Sequence, residues 1–390
     1  MLHAYAPMTD MPGDSHLDRE VQPRWRLAFG ALCLVVVAMV ATVQDRLAFS
    51  VDEVKMSLSY DVVVQPATAT VPRAVLSVPS ANGGGLAIKI LQVPDMHYIG
   101  RPDYHCRDPP HEPCSESNMT AFIGELIDAE KPHLVIFTGD QIEALAVKRT
   151  ADEAKKAIDT YVDAAISRRL PWSMVFGNHD EGASFSRKAM IEYIMAKPHA
   201  LSMAGPDDVG GVGNYQIVAI NAATKKIDLA LYFLDTGVSG AISAGQKSLL
   251  RNMSADIAAD NAPGLLFYHI PSPDYVLHAG EVVPHGHQGE GVSHGPPSGL
   301  LETLVAMGDV KATFVGHDHL NDYCVARQGI QHCYGGCVGY GEAYGSRGLL
   351  RRARVIEFTM NETTERITTW LHAAGGAISK DKYLLYERHF

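Results

Sequence analysis

Short, mainly apolar runs recur along this chain, and each is followed closely by a glycine or a polar residue. The runs cover residues 86–93, 134–138, 172–176, 265–268 and 312–315. Runs of about four to eight such residues with these boundaries predict strands that are buried on both faces.

Segments with helical patterns lie between these runs, at residues 120–129, 152–169, 186–195, 246–259 and 300–307. The alternation of strands and helices predicts an α/β fold. In such folds the functional residues gather at the carboxyl ends of the strands, so we expect the site there.

Residues that can bind metal ions follow all five predicted strands. They are Asp95 and His97, then Asp140, then Asn178, His179 and Asp180, then His269, and finally His317 and His319. Each short motif alone is weak, because a Gly-Asp turn or a single histidine often occurs by chance. Five such motifs in order, each after an apolar run, indicate one common site.

Carboxylates, imidazoles and a side-chain amide can together hold two metal ions that share one bridging carboxylate. Ions held in this way lie about 3.5–4 Å apart and stabilise both the attacking and the leaving oxygen of an in-line displacement. Neutral imidazole suits Fe, Mn or Zn. The pattern therefore predicts a phosphoesterase whose cofactors are two divalent or trivalent metal ions.

The same motifs resemble the five blocks of the calcineurin-like metallophosphoesterase superfamily: Asp-x-His, Gly-Asp, Gly-Asn-His-Asp, a strand-end His and Gly-His-x-His. The resemblance extends from about residue 86 to the C-terminus. Strings at 315–324, 333–336 and 351–354 are similar to its Dcr2-like branch, whose plant members are called inactive purple acid phosphatase 29-like. The resemblance implies a four-layer α/β/β/α sandwich of two mixed sheets flanked by helices.

The resemblance also implies seven metal ligands. They are Asp95, His97 and His319 for the first ion, Asn178, His269 and His317 for the second, and Asp140 as the bridge. A water molecule shared by the two ions would lose its proton near neutral pH and attack phosphorus. We therefore expect hydrolysis of phosphomonoesters by a metal-bridging water or hydroxide.

His179 is not a ligand by this resemblance, and it faces the phosphoryl group instead. There it would protonate the leaving alkoxide or donate a hydrogen bond to the transition state. We expect Asp180 to orient His179, since such carboxylates commonly support a functional side chain. The alternative for Asp180 is an ordinary carboxylate at the start of a helix.

One block departs from the purple acid phosphatases that the branch name mentions. Those enzymes take a metal-binding tyrosine from Gly-Asp-x-x-Tyr, whereas this chain ends the block in Glu143. His97 also stands where the purple enzymes have another residue. We therefore predict a colourless or pale protein, and we attribute the word inactive to the missing tyrosine, because no superfamily metal position is absent.

The charge of the chain bears on its partners, because Asp and Glu outnumber Lys and Arg by 44 to 33, for a net charge of −11. Nucleic-acid binders usually present clustered basic residues, so we do not expect a nucleic-acid partner. A phosphorylated small molecule or a phosphoprotein fits better. The alternatives are a phosphodiesterase or nuclease on the same metal core, and a non-catalytic membrane-anchored binder of phosphorylated ligands.

Two further groups of basic residues could contact a substrate phosphate. They are His285, His287 and His294 in a stretch rich in glycine and proline, and Arg351, Arg352 and Arg354 at the start of an apparent strand. For the histidines we favour a solvated loop. For the arginines, pairing with structural partners is at least as good an interpretation.

The N-terminal part of the chain predicts a location. Residues 1–26 form a hydrophilic tail and 27–43 an uncharged segment that we interpret as a transmembrane signal anchor or, alternatively, a signal peptide. Residues 44–84 follow as a stalk, with a possible extra strand at 71–82. Residues 85–390 form the predicted phosphoesterase domain. A buried helix is the third interpretation of 27–43.

We expect a single-pass membrane protein whose catalytic domain lies in the secretory lumen or outside the cell, or alternatively a secreted protein. Asn118, Asn252 and Asn361 stand in glycosylation sequons. The spacings of Cys106 with Cys114 and of Cys324 with Cys333 suit local disulfides, although five cysteines in the domain equally permit reduced thiols.

Overall fold

A computed structural model describes residues 62–64, 71–80, 85–378 and 382–390. The strands are β1 (Val62–Val64), β2 (Arg73–Val78), β3 (Leu86–Val93), β4 (Leu134–Thr138), β5 (Trp172–Val175), β6 (Tyr215–Asn221), β7 (Ile227–Phe233), β8 (Gly264–Phe267), β9 (Val310–Val315), β10 (Cys324–Arg327), β11 (Ile330–Tyr334), β12 (Arg352–Met360), β13 (Thr364–Ala373), β14 (Ala377–Ile378) and β15 (Tyr383–His389). The helices are α1 (Ser117–Glu130), α2 (Ala151–Ile166), α3 (Arg187–Met195), α4 (Ala244–Asp256) and α5 (Leu300–Met307), with short 3-10 turns at Ala258–Asp260 and Pro273–Tyr275.

All five predicted strands are confirmed as β3, β4, β5, β8 and β9, and all five predicted helices as α1 to α5. Their ends differ from the predictions by no more than three residues. Two helices start at capping boxes, in which Thr150 pairs with Glu153 and Ser243 pairs with Gln246. Each pair satisfies amide groups that the first helical turn leaves without a partner.

The first sheet has eight strands in the order β1-β2-β6-β7-β8-β9-β11-β10. Its centre is parallel, since β7, β8, β9 and β11 run side by side in one direction. The pairs β6–β7 and β10–β11 are antiparallel. The expected extra strand at 71–82 is observed as β2, which pairs in parallel with β6.

The second sheet has seven strands, with β14-β13-β12-β3-β4-β5 in order and β15 paired to β13. β3, β4 and β5 are parallel, whereas β12 runs antiparallel to β3. Both sheets are therefore mixed, as the resemblance implies.

Three hydrophobic clusters join these elements into layers. Leu76 and Ile217 of the first sheet share one buried cluster with Ile88 and Ile136 of the second, so the sheets pack face to face. A second cluster joins the outer face of the second sheet to α1, α2 and α3. A third joins the outer face of the first sheet to α4 and α5, and the predicted four-layer sandwich is confirmed.

The predicted tail, the uncharged segment 27–43 and most of the stalk lie outside the described residues. Of the helices within the described part of the chain, none has the length and apolar character needed to cross a membrane.

Candidate metal centre

The first group of candidate ligands consists of Asp95, His97 and His319. The Nε2 atoms of the two histidines lie 3.1 Å apart, and the Nε2 atom of His319 lies 3.7 Å from an Asp95 oxygen. Ligand atoms of all three side chains fall within 4.8 Å of one another, which is close enough to hold one metal ion. The first group comes from loops after β3 and β9, in different sheets.

The second group consists of Asn178, His269 and His317. The Nε2 atom of His269 lies 3.2 Å from the Asn178 side-chain oxygen, and the His269 and His317 rings meet edge to face at 5.1 Å. Asp140 lies between the groups, since its Oδ2 atom is 3.1 Å from His269 Nε2 and 3.5 Å from His97 Nε2. All seven candidate ligands therefore converge at one place.

Backbone conformation at the site directs these side chains inward. Asp95, His97, Asp140 and His317 all have positive φ angles, of 53°, 49°, 50° and 78°. Such left-handed conformations cost on the order of 1–3 kcal/mol for non-glycine residues and cluster at functional sites. The sharp turns after the strands allow the ligands of both sheets to face one centre.

Two glycines of the predicted motifs make the close approach possible. A Cβ atom at Gly139 would overlap the His269 ring, and one at Gly177 would overlap the Asp140 carboxylate. Only glycine leaves room for these ligand side chains against the neighbouring backbone.

Hydrogen bonds on the far side of two imidazoles fix their orientation. The Nδ1 atom of His269 lies 2.9 Å from the Thr138 carbonyl, and that of His319 lies 2.9 Å from the Tyr344 carbonyl. A carbonyl can only accept, so Nδ1 carries the proton and Nε2 presents a lone pair to the centre. Metal-binding histidines are commonly oriented in this way.

The electrostatics of Asp95, His317 and His319 fit a bound cation. The Oδ2 atom of Asp95 is buried and has no hydrogen-bond partner, and burial raises the pKa of this carboxyl group. Burial also lowers the pKa of His317 to about 3 and that of His319 to about 4, so both rings are neutral ligands at neutral pH. A positive ion would give the Asp95 oxygen its missing partner.

Glu143 is a functional residue that the sequence did not single out as such. It is 1% exposed, and its Oε2 atom lies 2.8 Å from His97 Nδ1 and 2.9 Å from His179 Nδ1. Burial raises its pKa, but the hydrogen bonds with the two histidines outweigh burial and hold the pKa below its usual range. The sequence signal that could have identified Glu143 is its position three residues after Asp140, where the purple enzymes have a tyrosine.

The hydrogen bonds of Asp180 differ from those expected of a partner that orients His179. Its carboxylate accepts hydrogen bonds from the backbone amides of Asp140, Ile142 and Gly177, at 3.0, 2.9 and 2.6 Å. Three amides already occupy the oxygens, so Asp180 holds the Asp140 loop against the Gly177 loop. The ring of His179 is oriented by Glu143 instead.

A cavity of about 170 Å³ opens onto the centre. Besides candidate ligands, Glu143 and His179, it is lined by Arg107, Ser293, Glu342 and Tyr344, among others. A larger cavity, of about 350 Å³, lies beside Asp180 and includes Lys148 and Arg149 in its lining.

The other candidate basic residues do not line the 170 Å³ cavity. Arg351, Arg352 and Arg354 are buried and bind protein groups: Arg354 donates to the Tyr334 carbonyl at 2.7 Å, and Arg352 pairs with Asp322. The three arginines therefore have structural partners. His285, His287 and His294 lie in or beside a loop. In that loop the Ser293 backbone amide donates a hydrogen bond to the Asp318 carboxylate at 3.2 Å.

Of the two alternatives that the sequence left open, the structure contains the disulfides, Cys106–Cys114 and Cys324–Cys333. Cys337 is a free and buried thiol.

The family model named Calcineurin-like phosphoesterase matches residues 88–321. This chain therefore belongs to the calcineurin-like phosphoesterase family, as its motifs imply. Its fold is also similar to that of a dimetal phosphatase from Danio rerio, with a TM-score of 0.50 and 14% identity, over 76% of this chain and 98% of that one.

Two named relatives match the expected branch. "Probable inactive purple acid phosphatase 29" of Arabidopsis thaliana is 35% identical over 79% of this chain and 86% of its own length. "Phosphatase DCR2" of Saccharomyces cerevisiae is 32% identical over 74% of this chain and 54% of its own length. The predicted similarity to this branch is confirmed.

Proposed function

We propose that the chain is a metal-dependent phosphatase that hydrolyses phosphomonoesters at a dinuclear centre. The observation that carries this proposal is the position of Asp140, whose carboxylate lies within reach of both the first group and the second group. A carboxylate within reach of two sets of metal-binding side chains is the arrangement that two bridged cations require.

In this proposal Asp95, His97 and His319 hold one ion, Asn178, His269 and His317 hold the other, and Asp140 bridges them. When bound, two such ions supply Lewis acidity and lower the pKa of water enough to make it a nucleophile near neutral pH. Imidazole and carboxylate donors of this kind suit Fe, Mn or Zn.

His179 is proposed as the proton donor to the leaving group. Its Nδ1 atom is held by Glu143, so Nε2 is the atom left to reach a substrate, and the side chain is 31% exposed. Burial lowers the pKa of His179, but Glu143 and Asp140 outweigh burial and raise it to about 9. A protonated ring held in this way can donate a proton from Nε2 to the leaving oxygen.

The small cavity supports a monoester substrate. A cavity of about 170 Å³ accommodates a phosphoryl group at the centre. The net charge of −11 disfavours large polyanions, so a phosphorylated small molecule or a phosphoprotein is the proposed substrate. A phosphodiesterase is the second candidate, because the larger cavity beside Asp180 offers space and two cationic side chains for a second ester group.

An assay with two chromogenic substrates tests the proposal. The purified protein, supplied with Mn, Fe or Zn, should hydrolyse p-nitrophenyl phosphate faster than bis(p-nitrophenyl) phosphate. Faster hydrolysis of the diester would favour the second candidate. No turnover with any metal would support a binding protein that retains the fold and would overturn the proposal.

We further propose that residues 27–43 anchor the chain in a membrane with residues 85–390 in an oxidising compartment. Two disulfides in the phosphoesterase domain support this location, as does the exposure of the sequon residues Asn252 and Asn361. Carbonate extraction of membranes and endoglycosidase digestion test it. Release of the intact chain by carbonate, without any glycan, would contradict it.

A further inference from the structure

Arg107 has a distinctive place at the mouth of the metal centre. It lies in the loop between β3 and α1, next to the Cys106–Cys114 disulfide. Among the described residues that line the 170 Å³ cavity, it is the only arginine or lysine. A cation at this point faces the space in which the proposed reaction would take place.

The backbone around Arg107 is firmly held. The Arg107 amide donates to the Gly341 carbonyl at 2.7 Å, and the Cys106 sulfur accepts from the Gly341 amide at 3.4 Å. The buried Arg351 guanidinium donates to the Asp108 carbonyl at 3.2 Å. The disulfide and these bonds fix the point from which the Arg107 side chain extends.

The same segment of chain also holds a candidate metal ligand. Tyr344, three residues after Gly341, accepts at its carbonyl from His319 and stacks on the His319 ring at 3.8 Å. The segment from Gly341 to Tyr344 therefore holds both Arg107 and the first group, so the fold sets the distance between them.

The Arg107 guanidinium itself is not committed to a protein partner. Its side chain is 59% exposed, and its nearest charged partner is Glu342 at 3.7 Å, which is longer than a hydrogen bond. Glu342 in turn accepts from the Tyr104 hydroxyl at 2.8 Å. The guanidinium can therefore turn toward a ligand without breaking a buried interaction.

We propose that Arg107 binds the non-ester oxygens of a phosphomonoester and selects monoester dianions over diesters. This proposal rests on the proposed function and adds a residue that determines the substrate specificity of the site. A guanidinium presents two parallel N–H donors that match two phosphate oxygens. A monoester has three non-ester oxygens and two negative charges, whereas a diester has two such oxygens and one charge. The monoester can satisfy both the metal centre and Arg107.

The experiment compares three variants of the metal-loaded protein. Arg107→Ala removes the donor, Arg107→Lys keeps the charge without the paired donors, and Arg101→Ala is a matched control in the same loop that does not line the cavity. Two quantities are measured: the Kd of inorganic phosphate by calorimetry, and the KM for p-nitrophenyl phosphate and its bis ester.

Arg107→Ala should raise the phosphate Kd and the monoester KM roughly tenfold, since a charge-assisted contact of this kind is worth about one order of magnitude or more. The diester KM should change less than threefold, Arg107→Lys should be intermediate, and Arg101→Ala should match the wild type. Equal phosphate affinity in Arg107→Ala and Arg101→Ala would overturn the proposal.

The two readouts separate this proposal from the proposed function. Loss of phosphate binding in Arg107→Ala would support the Arg107 assignment even if the wild type showed no turnover. Normal turnover with an unaltered phosphate Kd in Arg107→Ala would leave the phosphatase function intact and refute the assignment. The double variant Cys106→Ser, Cys114→Ser should also raise the monoester KM, because it frees the backbone that holds Arg107.

Discussion

The Nδ1 atom of His179 lies 2.9 Å from a carboxylate oxygen of Glu143, and the same oxygen lies 2.8 Å from Nδ1 of His97. One buried carboxylate therefore orients both a candidate metal ligand and the proposed proton donor. The two proposed roles of the site, metal binding and proton transfer, would thus be coupled through a single side chain.

This coupling predicts different effects for two substitutions. His179→Ala should retain the metal content and lower kcat roughly 10²- to 10⁴-fold, the range typical of a positioned acid. Glu143→Ala should lower kcat and also weaken metal binding, by about 10- to 100-fold, because His97 loses its orienting carboxylate. In a double-mutant cycle the effects on kcat should fall well short of additive. Additive effects, or loss of metal from His179→Ala, would contradict this division of roles.

Asp140→Ala should abolish turnover and reduce the number of bound metal ions. Its carboxylate lies between the first group and the second group in the proposed centre, so its removal leaves two like charges without a bridging side chain. Metal analysis of the variant beside Asp103→Ala, an exposed aspartate, measures the effect. A variant that keeps two ions and full activity would exclude Asp140 as the bridge.

The iron-loaded protein should have no visible band from a metal phenolate. Glu143 stands where the purple enzymes have a tyrosine ligand, and its carboxylate faces imidazole Nδ1 atoms. Tyr344 lines the cavity, but its hydroxyl donates to Glu290 at 2.9 Å and accepts from the His319 amide at 3.1 Å. An absorption spectrum of the purified protein tests this, and a purple colour would show a tyrosine ligand after all.

His332, which is not among the candidate ligands, should make stability depend on pH. Its ring is buried with Nδ1 2.9 Å from the Thr313 hydroxyl, and burial lowers its pKa from 6.5 to about 3. The unfolded chain therefore binds a proton below about pH 6.5, whereas the folded chain does not. The stability that the neutral ring contributes is present above that pH and is lost as the pH falls toward 3.

Urea denaturation of the wild type and of His332→Asn measures this effect, since asparagine cannot titrate but can still bond to Thr313. Between pH 6.5 and 5 the free energy of unfolding of the wild type should fall by about 1.5 kcal/mol more than that of the variant. Parallel declines in the two proteins would exclude His332 as the cause.

Much of the fold could be predicted because the central parallel strands are nearly uniform apolar runs. The strands β3, β4, β5, β8 and β9 carry that signal, and each ends at a functional motif. The outer antiparallel strands were harder: β13 has the polar residues Glu365, Thr369 and His372 at buried positions, so it lacks a continuous apolar run. The hairpin of β6 and β7 carries no motif, and its two apolar runs were not among the predicted strands.

The part of the site that consists of side chains next to strand ends could be predicted from the sequence. The seven candidate ligands converge because parallel strands end at the same edge of their sheets. The roles of Glu143 and Asp180 were not predictable, because they depend on which groups the folded loops bring to each carboxylate. Asp180 follows His179 in the sequence, yet it binds the Gly177 amide of its own loop and the Asp140 amide of another loop.

The number of metal ions bound per chain tests the central claim most directly. The protein is loaded separately with Mn, Fe or Zn and freed of excess metal. The bound metal is then measured by elemental mass spectrometry. The account predicts two ions per chain with at least one of these metals. One ion or none, with every metal supplied, would contradict a dinuclear centre.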